Sequence, residues 1–211
     1  MICPLCKNEK ADFFLKDKSR DYFSCQECSL VFVPKSQLRA LEYEKAEYDL
    51  HCNSPDDQGY RKFLSRIFDP ILKRLKPGAR GLDFGSGPGP TLSVMLEESG
   101  LSMAIYDYFY ANNPSVFDEQ YDFIVATEVL EHLHCPAEEL ERLWNCLKQG
   151  GTLGIMTQLA LDKERFANWR YKADMTHVRF FSRPTFEWLA AKWHAELEFV
   201  DKDVIFLSKT C

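Results

Sequence analysis

No stretch of this chain approaches the roughly 18 consecutive apolar residues that a membrane-spanning helix needs. Its first residues, Met-Ile-Cys-Pro, lack the apolar core of a secretory signal. A cytoplasmic protein with no membrane partner is the expectation. Surplus positive charge is missing too: 26 lysines and arginines face 32 acidic residues, a net charge of −6. That balance argues against a protein built mainly to coat nucleic acid. One basic run, Arg61, Lys62, Arg66, Lys73, Arg74, Lys76 and Arg80 against Asp69 alone, reads as a solvated helix face, with a polymer-binding patch as the alternative. What is present, 45% hydrophobic and 27% charged residues in 211, suffices for one α/β core and a small appendage.

Also missing is a complete dinucleotide fingerprint. Residues 82–90 read Leu-Asp-Phe-Gly-Ser-Gly-Pro-Gly-Pro, and Pro90 stands where the third glycine of Gly-x-Gly-x-x-Gly belongs. An apolar strand over 79–84 precedes these glycines and a helix over 91–98 follows. Strand, glycine loop and helix start together make a turn in which bare backbone can approach a cofactor.

Four of the eight cysteines fall as Cys3-Pro-Leu-Cys6 and Cys25-Gln-Glu-Cys28, with 18 residues between the pairs. Two residues between thiolates let one tight turn present both sulfurs to a tetrahedral ion, so Cys3, Cys6, Cys25 and Cys28 are expected to hold a structural zinc. Disulfides and a redox pair are the alternatives. A segment of about 35 residues has too little core to fold alone, and metal binding would supply its folding energy. Cys52, Cys135, Cys146 and Cys211 share no ligand spacing and read as ordinary thiols.

Beyond Cys28, a strand is expected over 30–33, then a polar, tyrosine-rich connector or lid over 36–60. An amphipathic helix over 61–75 ends at Pro77-Gly78. Strands follow over 101–106, 121–126 and 152–157, helices over 136–148 and 184–193, and two antiparallel strands over 195–200 and 204–208. Alternating strands and helices imply a mainly parallel, doubly wound sheet.

Residues 82–90 resemble motif I of class I S-adenosylmethionine-dependent methyltransferases, and the likeness extends over about 60–208. Asp107, 24 positions after Asp83, matches the acidic residue that grips the ribose diol in such enzymes. The stretches at 121–133 and 147–153 resemble the family's fourth strand and its approach to the fifth. The stretch at 177–182 is similar to the branch containing ubiquinone-pathway O-methyltransferases. The resemblance implies a Rossmann-like α/β sheet of the seven-stranded variant with an antiparallel last strand, plus a small N-terminal zinc ribbon. The expected divisions are a zinc-ribbon-like segment (1–35), a connector or lid (36–60) and a class I methyltransferase domain (61–211). It also implies S-adenosylmethionine as cofactor, held by Asp83, Phe84, Gly85, Ser86, Gly87, Gly89, Asp107, Tyr108, Thr127 and Glu128. Only 13 residues separate Asp107 from Tyr121, too few for the usual helix, strand and acidic loop. Tyr108 or Phe109 either stacks on adenine in their place or packs in the core.

For chemistry, Glu128, Glu131, His132 and His177 resemble a magnesium site found in small-RNA 2′-O-methyltransferases. The alternative is a metal-free role in cofactor support and packing, with His132 or His177 as general base. His134 and His194 read as surface or packing residues. Trp169, Arg170 and Tyr171 lie in a segment, 162–183, that is either a substrate lid or an ordinary packed loop. The expected acceptor is a small metabolite, through a sugar or phenol hydroxyl, an amine or a carbon. An RNA or protein methyltransferase that grips its substrate with the ribbon, and a non-catalytic cofactor-binding adaptor, are the alternatives.

Overall fold

The computed structural model describes residues 1–50 and 53–210, so His51, Cys52 and Cys211 lie outside the described residues. The main sheet has six strands: β4 (Arg80–Phe84), β5 (Ser102–Tyr106), β6 (Tyr121–Thr127), β7 (Leu147–Met156), β9 (Ala195–Phe199) and β10 (Val204–Lys209). Their order is β5-β4-β6-β7-β10-β9, parallel through β7, with β10 antiparallel to both neighbours. The antiparallel last strand is as expected, but the sheet has six strands among the described residues where the seven-stranded variant was anticipated. The short span after Asp107 explains the difference, because it holds only a tight turn and one 3-10 turn, Pro114–Asp118.

β6 shows why helices cover both faces. Phe123 and Val125 point into one apolar layer with Leu64, Ile67 and Ile71 of α2 (Gln58–Leu72) and with Leu92, Met95 and Leu96 of α3 (Thr91–Glu98). Ile124 and Ala126 point the other way, onto Leu140 and Leu143 of α4 (Pro136–Cys146) and Phe186 and Leu189 of α6 (Arg183–Trp193). A strand buried on both sides reads as an unbroken apolar run, and 123–126 is one. α4 ends at Cys146 rather than at 148, because Leu147 already pairs with Tyr121 in the sheet.

The N-terminal segment forms a second sheet, β1 (Ala11–Lys16), β2 (Asp21–Cys25) and β3 (Val31–Phe32), completed by β8 (Arg179–Phe180) from the far end of the chain. Val31 pairs with Phe180 and Phe32 with Arg179. Cys3, Leu5, Leu30 and Phe32 share one apolar cluster with Leu130, Phe181 and Phe186, so the ribbon packs on the main domain. The connector contains α1 (Leu41–Tyr48), whose weak apolar patterning hid it from the sequence. The segment 162–183 holds the short helix α5 (Lys163–Ala167) and a 3-10 turn, Arg170–Ala173.

Of the arginines in the basic run, Arg61 pairs with Glu98, Arg66 with Asp203, Arg74 with Glu198 and Arg80 with Glu119. Four of the run's seven cations are thus paired within the fold.

Candidate active site

At the carboxyl ends of β4 and β5 the chain must turn sharply. Gly85 and Gly87 take φ of 76° and 65°, the left-handed region that glycine enters without steric cost. A Cβ on Gly85 would strike Val129, and one on Gly89 would strike the backbone oxygen of Asn53 in the connector. The carboxylate of Asp107 fixes this loop from below: Oδ2 accepts from the Gly87 amide at 2.9 Å, and Oδ1 from the amides of Phe109 and Tyr110 at 2.8 and 3.1 Å. Asp83 is buried and accepts from Ser93 Oγ at 2.9 Å, and burial pushes its carboxyl up to about 6.

A cavity of about 640 Å³ opens over these strand ends. Phe84, Gly85, Ser86, Gly87, Asp107, Tyr108, Thr127 and Glu128 all line it. Gly89 and Asp83 border a small recess beneath the same loop. Ser86 Oγ and Thr127 Oγ1 are buried without a protein partner, two polar atoms placed for hydrogen bonds with a ligand. Tyr106 is stacked on Phe84 and closed from behind by Phe117, whereas Tyr108 stays 55% exposed at the rim. Phe109 packs edgewise on Tyr108 and against Tyr48. The residues present fit S-adenosylmethionine: backbone free of side chains, an acidic residue beneath it, unpartnered hydroxyls and an aromatic rim.

The far wall carries the histidines. Glu128 follows directly on β6 and leads the chain into this wall. It sits at φ 53°, an unfavourable region for a side-chain-bearing residue, and only a 3-10 turn, Leu130–His132, follows. That turn sends Glu131 inward and His132 to the cavity. Glu131 Oε2 accepts from Thr157 at 2.9 Å, and its Oε1 accepts from the Tyr171 hydroxyl. Tyr171 also approaches Glu128 Oε2 at 3.4 Å. Burial raises both carboxyls well above the ordinary range, and for Glu131 the nearby Glu128 adds to it. The Tyr171 phenol is raised as well, first by burial and then by these two carboxyls.

His177 Nδ1 lies 2.7 Å from the Tyr171 carbonyl, and His132 Nδ1 lies 3.2 Å from that of Thr176. A carbonyl can only accept, so each Nδ1 carries the proton. The two rings meet edge to face at 4.7 Å. Burial lowers the His177 pKa against the opposing pull of Asp174, whose carboxylate is 3.7 Å from Nε2. Glu131, His132 and His177 bring ligand atoms within 4.8 Å of one another, and Glu128 stands outside that group. Magnesium prefers an octahedron of oxygens. Two imidazoles and a carboxylate already occupied by two hydroxyls do not fit it.

The ribbon differs. Sγ atoms of Cys3, Cys6, Cys25 and Cys28 lie within 4.8 Å of one another, with Cys3 to Cys28 at 3.6 Å and Cys6 to Cys25 at 3.3 Å. The edge of a tetrahedral zinc–thiolate site is about 3.8 Å. The two knuckles repeat one geometry: Lys7 N donates to Cys3 O and Ser29 N to Cys25 O, with Lys7 and Ser29 both at positive φ. Four thiols closing on one point fit zinc.

Several lining residues went unrecognised in the sequence. α1 supplies Leu41, Glu44 and Tyr48 to the cavity wall. Glu44 is buried and its Oε1 lies 2.6 Å from His134 Nε2, so His134 ties the connector helix to the site. Trp169, Arg170 and Tyr171 do not line the cavity. Trp169 and Tyr171 pack on the cluster built from Tyr22, Phe166 and Phe180, which favours the packed loop over the lid. His194 caps α6 at φ 51°. Cys146 is buried and Cys135 exposed.

The fold and the cavity together define a class I S-adenosylmethionine-dependent methyltransferase domain. Residues 57–200 match the family model described as a methyltransferase domain, and the chain belongs to that family. Among curated proteins it is 29% identical over 117 residues to a ubiquinone biosynthesis O-methyltransferase of Ruegeria sp. (strain TM1040). That match covers 56% of this chain and 46% of the relative, so the chain spans about half the length of the curated relative it matches. Among solved structures it resembles 1,6-didemethyltoxoflavin-N1-methyltransferase of Burkholderia thailandensis, determined with 1,6-didemethyltoxoflavin and S-adenosylhomocysteine bound. The TM-score is 0.52 at 16% identity, over 95% of this chain and all (100%) of that one. A protein of Pyrococcus horikoshii OT3 gives a TM-score of 0.51 at 16% identity, over 79% of this chain and 99% of the other. These two likenesses establish the fold.

Proposed function

We propose that the protein transfers a methyl group from S-adenosylmethionine to a small acceptor that carries no anionic group. The observation that carries this reading is one cavity lined both by the glycine loop with Asp107 and by the histidine pair. The cofactor would supply a methyl group on an electrophilic sulfonium. Gly85, Ser86 and Gly87 would cradle it, Asp107 would hold its ribose hydroxyls, and Tyr108 at the rim would cover its adenine. Alignment does most of the work in an in-line displacement, because two reactants held face to face have already lost most of their relative freedom.

Acceptor deprotonation falls to His177. Its proton is fixed on Nδ1, its Nε2 keeps a lone pair, and burial keeps the ring neutral near neutral pH. His132 packs against it and supports its orientation. The cavity wall carries the carboxylates of Glu44, Asp107, Glu128, Glu139 and Asp174, and among the described residues no lysine or arginine. A phosphate or carboxylate on the acceptor would meet several acidic side chains there and neither of the two strongly basic kinds. A phenol, a sugar hydroxyl or an amine suits it, and an amine is favoured further by the acidic wall.

Labelled methyl transfer to paired acceptors tests this: phenols, sugars and amines against their carboxylated or phosphorylated counterparts. Turnover is expected only in the uncharged and cationic members. Turnover confined to the anionic members, or to RNA or protein, contradicts the reading.

A further inference from the structure

The hairpin turn between β1 and β2 reaches the segment that carries His177, and one side chain, Arg20, makes most of the connection. Arg20 is only 3% exposed. Its Nη1 donates to the carbonyls of Met175 and His177 at 3.1 and 2.8 Å, and its Nη2 to those of Lys172 and Asp174 at 2.5 and 3.0 Å. Four carbonyls from six consecutive residues converge on one guanidinium. The loop also ties itself, through His177 N to the Asp174 carbonyl at 3.3 Å and through Thr176 N and Oγ1 to Asp174 Oδ1 at 2.8 and 2.7 Å, and the guanidinium gathers the four carbonyls. A planar fork with fixed N–H directions can serve several acceptors at once, which an ammonium on a flexible stem cannot do as well.

The turn that presents Arg20 is itself fixed. Asp17 accepts from the amides of Ser19 and Arg20, from the Tyr22 hydroxyl at 2.8 Å and from Lys172 Nζ at 2.8 Å. Lys172 thus provides a second tie from the same loop back to the hairpin. Beyond His177, Val178 N donates to the Glu131 carbonyl at 2.8 Å, and Arg179 and Phe180 pair with β3. The loop is therefore anchored at its far end by the N-terminal sheet and in its middle by Arg20.

We propose that Arg20 is a positioning residue for the cavity histidine. It holds the backbone of 172–177 so that the His177 ring faces the cavity with Nδ1 bonded to the Tyr171 carbonyl. The N-terminal cysteine ribbon then serves as the rigid mount of the acceptor-side wall, in place of a substrate grip. This rests on the assignment of His177 to the acceptor side of the proposed methyltransferase site.

The test uses the full-length protein with its metal bound and needs neither cofactor nor acceptor. Amide hydrogen exchange is followed over 172–178 in wild type, Arg20→Met and Arg20→Lys, and the slowly exchanging imidazole Nδ1–H of His177 is recorded by NMR. Arg20→Met is expected to exchange at least about tenfold faster in that segment, as loss of several charge-assisted hydrogen bonds implies. It should also lose the His177 Nδ1–H signal while keeping its four-cysteine metal. Arg20→Lys should fall between, with partial recovery of the signal. Wild-type exchange and an unchanged His177 signal in Arg20→Met overturn the proposal. Should Arg20→Met not fold, Arg20→Lys decides, and wild-type protection in it overturns the proposal equally. Because both readouts are independent of methyl transfer, failure of the enzymatic reading would appear separately, as absence of S-adenosylhomocysteine binding.

Discussion

Glu131 shows how much a single buried side chain can reveal. It is fully buried, its oxygens face two hydroxyls, and burial together with Glu128 raises its pKa far above that of a free glutamate. A carboxyl raised on folding holds its proton more tightly in the native state than in the unfolded chain. Its contribution to stability is fully present below the unfolded pKa and is lost as pH rises through the folded one. Wild-type stability should therefore fall between about pH 5 and about pH 9, and Glu131→Gln, which cannot ionise, should flatten that slope. The difference expected at the alkaline end is on the order of 2 kcal/mol in favour of the variant. Denaturant unfolding at both pH values measures it, and parallel curves for the two proteins would exclude an ionising Glu131 as the cause.

At the scale of elements, the N-terminal sheet is completed by two residues from the other end of the chain. One equivalent of zinc is the expected content of the wild type, and Cys25→Ser should lose it and unpair β3 from β8, since Cys25 ends β2 and its neighbours lead directly into β3. Metal analysis together with hydrogen exchange over 176–181 reads both effects. Loss of metal with full protection of that segment would separate the ribbon from the site wall. This is also where sequence reading reaches its limit. The paired Cys-x-x-Cys knuckles and the strand, glycine loop and helix at 80–98 are local devices, so residue spacing alone makes them legible. Arg20 and Arg179 act on carbonyls about 150 residues away or on a two-residue strand, and no period or spacing marks such contacts. α1 escaped notice because it is polar around most of its circumference, although Glu44 and Tyr48 face the cavity. The Glu-x-x-Glu-His spacing would group Glu131 and His132 with Glu128 on one turn were a helix to start at Glu128. Its left-handed backbone and the following 3-10 turn instead send Glu131 and His132 to different surroundings.

Seen whole, the molecule is a six-stranded sheet whose edge strand β5 has no outer neighbour in the main sheet among the described residues. Beyond β5 the described chain makes only the tight turn from Asp107 to Ala111, which carries Tyr108, Phe109 and Tyr110. Methyl transfer requires that this shortened edge hold the cofactor. Calorimetric titration with S-adenosylhomocysteine, run in parallel on wild type and Asp107→Ala, is the most direct measurement. Asp107 supports the loop through Gly87 as well as facing the cavity, so its loss should weaken binding by at least about a hundredfold, within the range of charge-assisted hydrogen bonds. Micromolar binding by the wild type, abolished in a folded Asp107→Ala protein, is the predicted result. No binding by the wild type, or equal binding by both proteins, would contradict it.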